Sequence, residues 1–152
     1  MLLVESYWST AATVVWNPHL KKEINQVEKI QRFFTRIALK KCRLPKISYE
    51  ARLELFNLES LEKRRLIFDL TMCYKIINRL TILDPQLHFP LSTRPSRKHP
   101  KQITLKTKNT NKSSHSFTNR TAPKWNILDS NIVQAETPSL FKERLSELLQ
   151  NI

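Results

Sequence analysis

The chain of 152 residues contains no glycine, and this absence limits how the backbone can turn. Glycine adopts left-handed conformations at the least cost, so turns and helix ends must here rely on asparagine, aspartate and proline. Both glycine-dependent phosphate loops, the Walker type and the dinucleotide fingerprint, are excluded as well. The fold must therefore be one whose connections need few left-handed residues.

The charge balance is strongly basic, with a formal net charge of +13. Such a charge favours nucleic acid as the partner, and an anionic membrane surface is the next candidate. The plain alternative is a basic protein whose charge serves only solubility. The length is that of about one domain, and a hydrophobic content of 40% is sufficient for a packed helical core.

Several classes of site lack the residues that they need. Cys42 and Cys73 form no Cys-x-x-Cys pair, and the histidines show no ligand spacing, so we expect no disulfide framework and no metal site. The aspartates Asp69, Asp84 and Asp129 are scattered, whereas a two-metal nucleotidyl-transfer site needs clustered carboxylates. We expect no catalytic residue, no cofactor and no small-molecule substrate.

The first residues carry no cationic lead and no apolar run of the length of a signal peptide. No other stretch is long and apolar enough to predict a membrane-spanning helix. We therefore expect an intracellular protein, in the nucleus or the cytoplasm, that is not secreted and has no membrane partner.

The first predicted helix runs from about Pro18 to about Lys41, with Asn17 as its capping residue. Its apolar residues recur at helical spacing and predict a packing face. That face comprises Ile24, Val27, Ile30, Phe33, Phe34, Ile37 and Ala38. The opposite face carries Lys22, Lys29 and Arg36, with Arg32 beside them. We expect the apolar face to pack in a bundle and the cationic face to be available to an anion.

Two further helices are predicted before residue 83. A short one should begin at Ser48, and Asn57 is placed to end it in a left-handed conformation. Ser60 should cap a third, to about Arg79, whose apolar residues cover more than half of its surface. Its remaining narrow face carries Arg64, Arg65, Lys75 and Arg79. Residues 1–16 form a lead, and residues 17–83 a helical bundle.

Residues 84–113 differ in character from the bundle. Pro85, Pro90, Pro95 and Pro100 recur every five residues, which predicts an extended path without helix. Apolar and polar residues alternate from Ile103 onward, so a short strand is possible there. No acidic residue occurs between Asp84 and Asp129, so this basic connector is uncompensated. A disordered basic linker is the plain alternative.

Residues 114–152 form a C-terminal helical segment. Ser114 can cap a brief helix, which Pro123 should break before Trp125. Thr137 and Pro138 begin a final amphipathic helix that should pack back. The predicted fold class is therefore mainly α: a small bundle with three helices in the first half, a proline-spaced connector and one C-terminal helix.

Taken in order, several blocks resemble the C-terminal region of reverse transcriptases of non-LTR retrotransposons, the jockey-like class. The similar blocks include VWNPHL at residues 15–20, VEKIQRFFTR at 27–36, SYEARL at 48–53, LESLEKRR at 58–65, WN at 125–126 and SLFKERL at 139–145. Each block alone is weak, whereas their order and spacing cover nearly the whole chain.

In that family these blocks follow the polymerase palm and cover the helical thumb side and what lies beyond it. The resemblance implies a parent with RNA-directed DNA polymerase and endonuclease activity. The family's catalytic carboxylates lie in segments that this chain does not contain. The expectation is a non-catalytic fragment that binds RNA or DNA without sequence preference, with the missing polymerase core as a further partner. The alternatives are a small helical protein-interaction module and an inert remnant.

We expect the basic surfaces to contact phosphates, since such contacts position a strand without reading its bases. For each cation the plain alternative is a solvated surface. Trp16, Phe117 and Trp125 are more typical of core anchors than of base-stacking residues, and Arg52 of a structural arginine. The candidate nucleic-acid-binding residues are Lys22, Lys29, Arg32, Arg36, Arg64, Arg65, Arg94, Arg97, Lys98, Lys101, Lys106, Lys108 and Lys112.

Overall fold

The computed structural model describes residues 17–94, 98–105 and 115–150. Its helices there are α1 (Lys21–Lys41), α2 (Tyr49–Leu55), α3 (Leu61–Ile77), α4 (Pro85–His88), α5 (Phe117–Asn126), α6 (Ser130–Val133) and α7 (Pro138–Gln150). Strand pairing in these residues is limited to one isolated antiparallel bridge between Leu91 and Ile103. The predicted mainly helical fold is confirmed.

Contacts divide the chain into two compact units, with the boundary between Leu66 and Ile67. We call residues 17–66 the first unit and the described residues from 67 onward the second unit. The boundary lies inside α3. The reason is that the second half of α3 forms the central core helix of the second unit, where its apolar residues are buried.

Hydroxyl side chains cap three helices as predicted. The Ser48 hydroxyl accepts from the amide of Ala51, that of Ser60 from Lys63, and that of Thr137 from Leu140, at 3.1–3.2 Å. The predicted start at Pro18 is wrong. Helix α1 begins at Lys21 without a side-chain cap, and Pro18 is instead buried in a non-helical segment.

Helices α1, α2 and α3 all end in the same motif, without glycine. Each ends at a residue with positive φ: Arg43 at 53°, Asn57 at 51° and Arg79 at 57°. A leucine follows each of them and donates its amide to a carbonyl five residues back, at 2.8–3.2 Å. This is the Schellman motif. The prediction for Asn57 is confirmed, and the two arginines adopt the same conformation despite their Cβ atoms.

Two prolines that were predicted to prevent helix lie inside helices. Pro85 occupies the first position of α4, where its missing N–H costs nothing, and Asp84 caps that turn. Pro123 lies within α5, which continues through Trp125. Pro123 is exposed, whereas Thr121, Ala122 and Trp125 are buried. Burial of that face outweighs the lost backbone hydrogen bond.

The core of the second unit is built around aromatic rings. Phe141 of α7 lies between two rings, 4.6 Å from Tyr74 and 5.8 Å from Trp125 between centroids, and stacks on both. The Tyr74 hydroxyl donates to the carbonyl of Ala135 at 2.6 Å, so its polar end is satisfied. Helix α7 therefore packs back as predicted, with Phe141 and Leu145 fully buried.

Trp125 and Asn126 hold the extended segment that follows His99. The Trp125 indole donates to the carbonyl of Lys101 at 2.8 Å. The Asn126 side chain accepts from the amide of Ile103 and donates to its carbonyl, both at 2.8 Å. A side-chain amide thus pairs with this backbone as a neighbouring strand would. This explains how a segment with one isolated bridge remains ordered.

A buried ion pair joins α3 to α5. Arg120 donates from Nε and Nη2 to the two carboxylate oxygens of Asp69, at 2.8 and 2.9 Å. Asp69 is only 3% exposed. Both partners are in bidentate geometry, so neither charge is left uncompensated by the fold.

We predict that Asp69→Asn lowers the free energy of unfolding by about 3 kcal/mol, because it leaves the guanidinium of Arg120 without its counter-charge. Denaturant unfolding measures the change. Lys63→Ala is the control: it breaks the more exposed Lys63–Glu59 pair and should cost less than about 0.5 kcal/mol. Equal losses in the two variants would show that burial does not strengthen the Asp69–Arg120 pair.

We also predict that Arg79→Gly raises the free energy of unfolding by about 0.5–1 kcal/mol, because glycine has no Cβ to oppose a positive φ. Arg79→Ala removes the same charged side chain and keeps the Cβ, so it should give no gain. If alanine stabilises as much as glycine, the backbone conformation is not the source of the effect.

Candidate nucleic-acid interface

Helix α1 does not pack through its predicted apolar face. Its buried residues are Glu28, Thr35 and Leu39. The predicted packing face is largely exposed, and the exposed fractions are 58% for Ile30, 57% for Phe33, 64% for Phe34 and 38% for Ile37. We call these four side chains the apolar arc. The prediction that they form the packing face is wrong.

Polar contacts determine which side of α1 turns inward. The buried carboxylate of Glu28 accepts from the Tyr49 hydroxyl of α2 and from the Leu61 amide, at 3.1 Å, where α3 begins. One turn further along, Gln31 donates to the carbonyl of Glu59 at 2.7 Å. These contacts satisfy donors and acceptors that burial would otherwise leave unpaired, and an apolar face cannot replace them.

Tyr49 lies between the carboxylate of Glu28 and two arginines. The guanidinium of Arg32 lies 4.9 Å from the ring centroid, and that of Arg52 lies 5.6 Å away. Burial, and then the hydrogen bond to Glu28, raise the pKa of the Tyr49 hydroxyl well above its usual range. The hydroxyl is therefore a neutral donor at physiological pH.

Arg52 is the structural arginine that the sequence predicts. It is buried, and it donates from Nε to the Thr35 hydroxyl at 3.2 Å and from Nη1 to the carbonyl of Ile47 at 2.9 Å. The charged side chain of Arg52 therefore stabilises the packing of α1 on α2.

The orientation of α1 leaves a row of cations exposed. Lys22, Lys29 and Arg36 recur at every seventh residue, and all three are exposed. None of them takes part in an ion pair with a described residue. We call these three residues the cationic arc. Arg32, which was predicted to lie beside them, is exposed but rests on the Tyr49 ring.

The cationic arc borders the apolar arc on the helix surface. Phe33 follows Lys29 by four residues and precedes Arg36 by three, so helical geometry makes it a neighbour of both. An anion bound along the cations would therefore meet aromatic carbon beside them. Cations next to exposed rings are typical of surfaces that bind single-stranded nucleic acid.

The two arginines at the start of α3 differ in exposure. Arg64 is exposed, as the hypothesis of phosphate contact requires. Arg65 is buried, and its Nη2 has no hydrogen-bond partner among the described residues. Arg65 therefore does not lie on the narrow polar face that was predicted for it, and it is not available to a backbone phosphate at the surface.

The cations of the connector are placed in three ways. Arg94 and Lys98 are exposed. Lys101 is half-buried and donates to Asn78 at 2.5 Å, and burial lowers its pKa. Lys101 therefore acts as an internal contact of the second unit. The remaining predicted cations, Arg97, Lys106, Lys108 and Lys112, lie outside the described residues.

The aromatic residues of the second unit differ in burial. Trp125 is fully buried, and its ring packs edge-on to His99 with centroids 6.0 Å apart. Phe117 is half-buried against Phe89, with centroids 5.4 Å apart. Trp16 lies outside the described residues. The interpretation as a core anchor rather than a base-stacking platform is confirmed for Trp125, whereas for Phe117, which is only half-buried, it stays a prediction.

Among the described residues, no cluster of three or more His, Cys, Asp or Glu side chains is arranged to hold a metal ion. Within the same ranges, no helix combines the length and the apolar character needed to cross a bilayer. No family model, curated protein or solved structure matches the chain.

We predict that Glu28→Ala lowers the free energy of unfolding by about 2–3 kcal/mol, because the Tyr49 hydroxyl and the Leu61 amide lose their acceptor. Urea denaturation provides the measurement. Glu54→Ala, an exposed glutamate on α2, should change stability by at most about 0.5 kcal/mol. A loss at Glu28 no larger than at Glu54 would mean that this carboxylate does not orient α1.

Proposed function

We propose that this chain is a non-catalytic C-terminal fragment of a retroelement reverse transcriptase that binds RNA or DNA through phosphates, without sequence preference. The observation that carries the binding proposal is the cationic arc, whose three charges are exposed and uncompensated among the described residues. The origin rests on the order of the sequence blocks alone.

The dimensions of the cationic arc suit a nucleic-acid backbone. From Lys22 to Arg36 the helix rises about 21 Å. Over that distance duplex DNA presents about a dozen phosphate charges. Lysine and arginine side chains that contact phosphates position a strand but do not distinguish its bases. The proposed binding is therefore independent of sequence, strongly dependent on salt, and located inside the cell where such polymers occur.

A second function is supported by the apolar arc. Four large apolar side chains on successive turns are exposed, and contiguous patches of this kind mark interaction sites. We propose the polymerase core of the parent enzyme as the occupant, because the resemblance places that core directly before this region. A helical module that binds an unrelated protein is the alternative. Neither role requires catalysis, and we propose no enzymatic activity for the isolated chain.

Salt titration of RNA and duplex DNA binding tests the first proposal. Replacing Lys22, Lys29 and Arg36 together by Gln should make the slope of log K against log salt shallower by about 2.7 for duplex DNA. The control replaces Lys46, Arg79 and Lys124 by Gln. It removes the same charge from exposed positions outside the arc and should change the slope little.

Two outcomes would contradict the proposal of phosphate binding. One is no detectable binding to RNA or duplex DNA at low salt. The other is an equal change of slope in the two triple variants, which would assign binding to net charge rather than to the arc. The double variant Ile30→Ser, Phe34→Ser tests the second function independently of phosphate binding. It should leave the duplex salt slope unchanged and abolish binding to a polymerase core supplied in trans.

A further inference from the structure

The second unit contains a cavity of about 500 Å³ between the loop after the Leu91 bridge and the start of α6. Two cations line it, Arg94 and Lys98, together with the buried imidazole of His99. Among the described residues, three hydroxyl side chains also line it: Ser92, Thr93 and Ser130. Among the described residues that line it, none is acidic, and Asp129 beside Ser130 is exposed.

His99 has a polar atom that the fold leaves unsatisfied. The side chain is 2% exposed, and Nε2 lies 3.2 Å from the carbonyl of Trp125 and 3.0 Å from the amide nitrogen of Gln102. Nδ1 is buried without any hydrogen-bond partner among the described residues. A buried group of this kind costs free energy unless something bonds to it. A dianionic phosphate offers only acceptor oxygens, so it can satisfy Nδ1 in the tautomer that carries its proton there, in which Nε2 accepts from the amide of Gln102.

Two of the residues that line the cavity, Ser92 and Lys98, make contacts that hold them in place before any ligand binds. The amide of Ser92 donates to the carbonyl of Gln102 at 2.7 Å, and the hydroxyl of Ser92 accepts from the amide of Arg94 at 3.1 Å. That hydroxyl keeps its own proton to donate. Lys98 reaches the carbonyl of Ile127 at 3.5 Å. A fixed set of donors binds an anion with less ordering cost than a flexible one.

We propose that this cavity binds a phosphate monoester, with Arg94 and Lys98 as its counter-charges and the hydroxyls and His99 as its hydrogen-bonding groups. Two positive side chains match the charge of a monoester, which is near −2 at neutral pH, whereas a backbone diester carries only one negative charge. A monoester on a nucleic acid occurs at a strand end. Recognition of a strand end would add to the proposed binding along the backbone. This inference therefore rests on the proposed function.

The first experiment uses inorganic phosphate as the probe. Amide and imidazole NMR resonances of the full chain should shift saturably, with His99 Nδ1 among them. Replacing Arg94 and Lys98 by Gln should weaken binding by about tenfold or more for each charge-assisted hydrogen bond that is removed. Both residues are exposed, so the variant should fold. The control replaces Arg79 and Lys124 by Gln, which removes equal charge from exposed positions outside the lining.

Equal phosphate affinity in the variant and its control would overturn the proposal, as would the absence of saturable binding. The second experiment compares one oligonucleotide with a 5′-phosphate or a 5′-hydroxyl. The wild-type chain should prefer the phosphorylated end, and the Arg94/Lys98 variant should lose that preference. The Lys22/Lys29/Arg36 variant should keep it while its salt slope becomes shallower.

The two proposals fail in different ways. Oligonucleotide binding without any preference for a phosphorylated end would overturn the strand-end assignment and leave the proposed function standing. Saturable phosphate binding in a chain that binds no oligonucleotide would support the cavity and contradict the proposed function. A free phosphate or a small phosphomonoester would then be the source of the ligand.

Discussion

The buried carboxylate of Glu28 determines how the first unit presents its surfaces. It accepts hydrogen bonds from the Tyr49 hydroxyl and the Leu61 amide, so it draws α1 onto α2 and the start of α3. Once that side of α1 faces inward, the orientation of the helix about its own axis is fixed. The side chains that remain exposed are then fixed as well. The cationic arc and the apolar arc are exposed as a consequence. Both proposed functions of α1 therefore depend on a residue that belongs to neither surface.

The second unit also holds its surface residues at defined positions, but it does so around an apolar core. Its core is aromatic and apolar, with Phe141 stacked between Tyr74 and Trp125. Its polar contacts lie around this core, where Asn126 pairs with the backbone of Ile103. This pairing and the contact between Trp125 and Lys101 hold the extended chain that follows His99. Cations on an otherwise irregular segment thereby acquire defined positions, which a disordered linker would not give them.

Much of the secondary structure could be predicted from local chemistry, because local chemistry decides it. Serine and threonine caps at Ser48, Ser60 and Thr137 act within one turn, and Asn57 acts within one helix end. Pro123 could not be predicted in this way, since burial of Trp125 and its neighbours is a tertiary effect that can outweigh a local penalty. The arginines at positive φ could not be predicted for a similar reason, since their propensity argues against that conformation.

The candidate site was harder to predict than the fold. Periodicity placed Lys22, Lys29 and Arg36 on one stripe of α1, and all three are exposed, but it assigned the burial to the wrong side. A glutamate with partners 21 and 33 residues away leaves no local signature, so the inward face could not be recognised from the spacing of apolar residues. Arg65 and Lys101 illustrate the same limit, because a cation in sequence can become an interior contact once the chain folds. The cavity beside His99 is lined by residues from distant segments of the chain, and no sequence motif indicates it.

The glycine-free helix ends also affect the denatured chain. Glycine widens the range of conformations that an unfolded backbone explores, so a chain without it has less entropy to lose on folding. At Arg43, Asn57 and Arg79 the native backbone bears a left-handed conformation that glycine would relieve. Elsewhere along the chain the absence of glycine gives a denatured ensemble with less freedom. In the part of the chain that the structure describes, left-handed strain occurs at these three helix ends. The restriction of the unfolded backbone extends along the whole chain, and it favours folding of a chain with a modest apolar content.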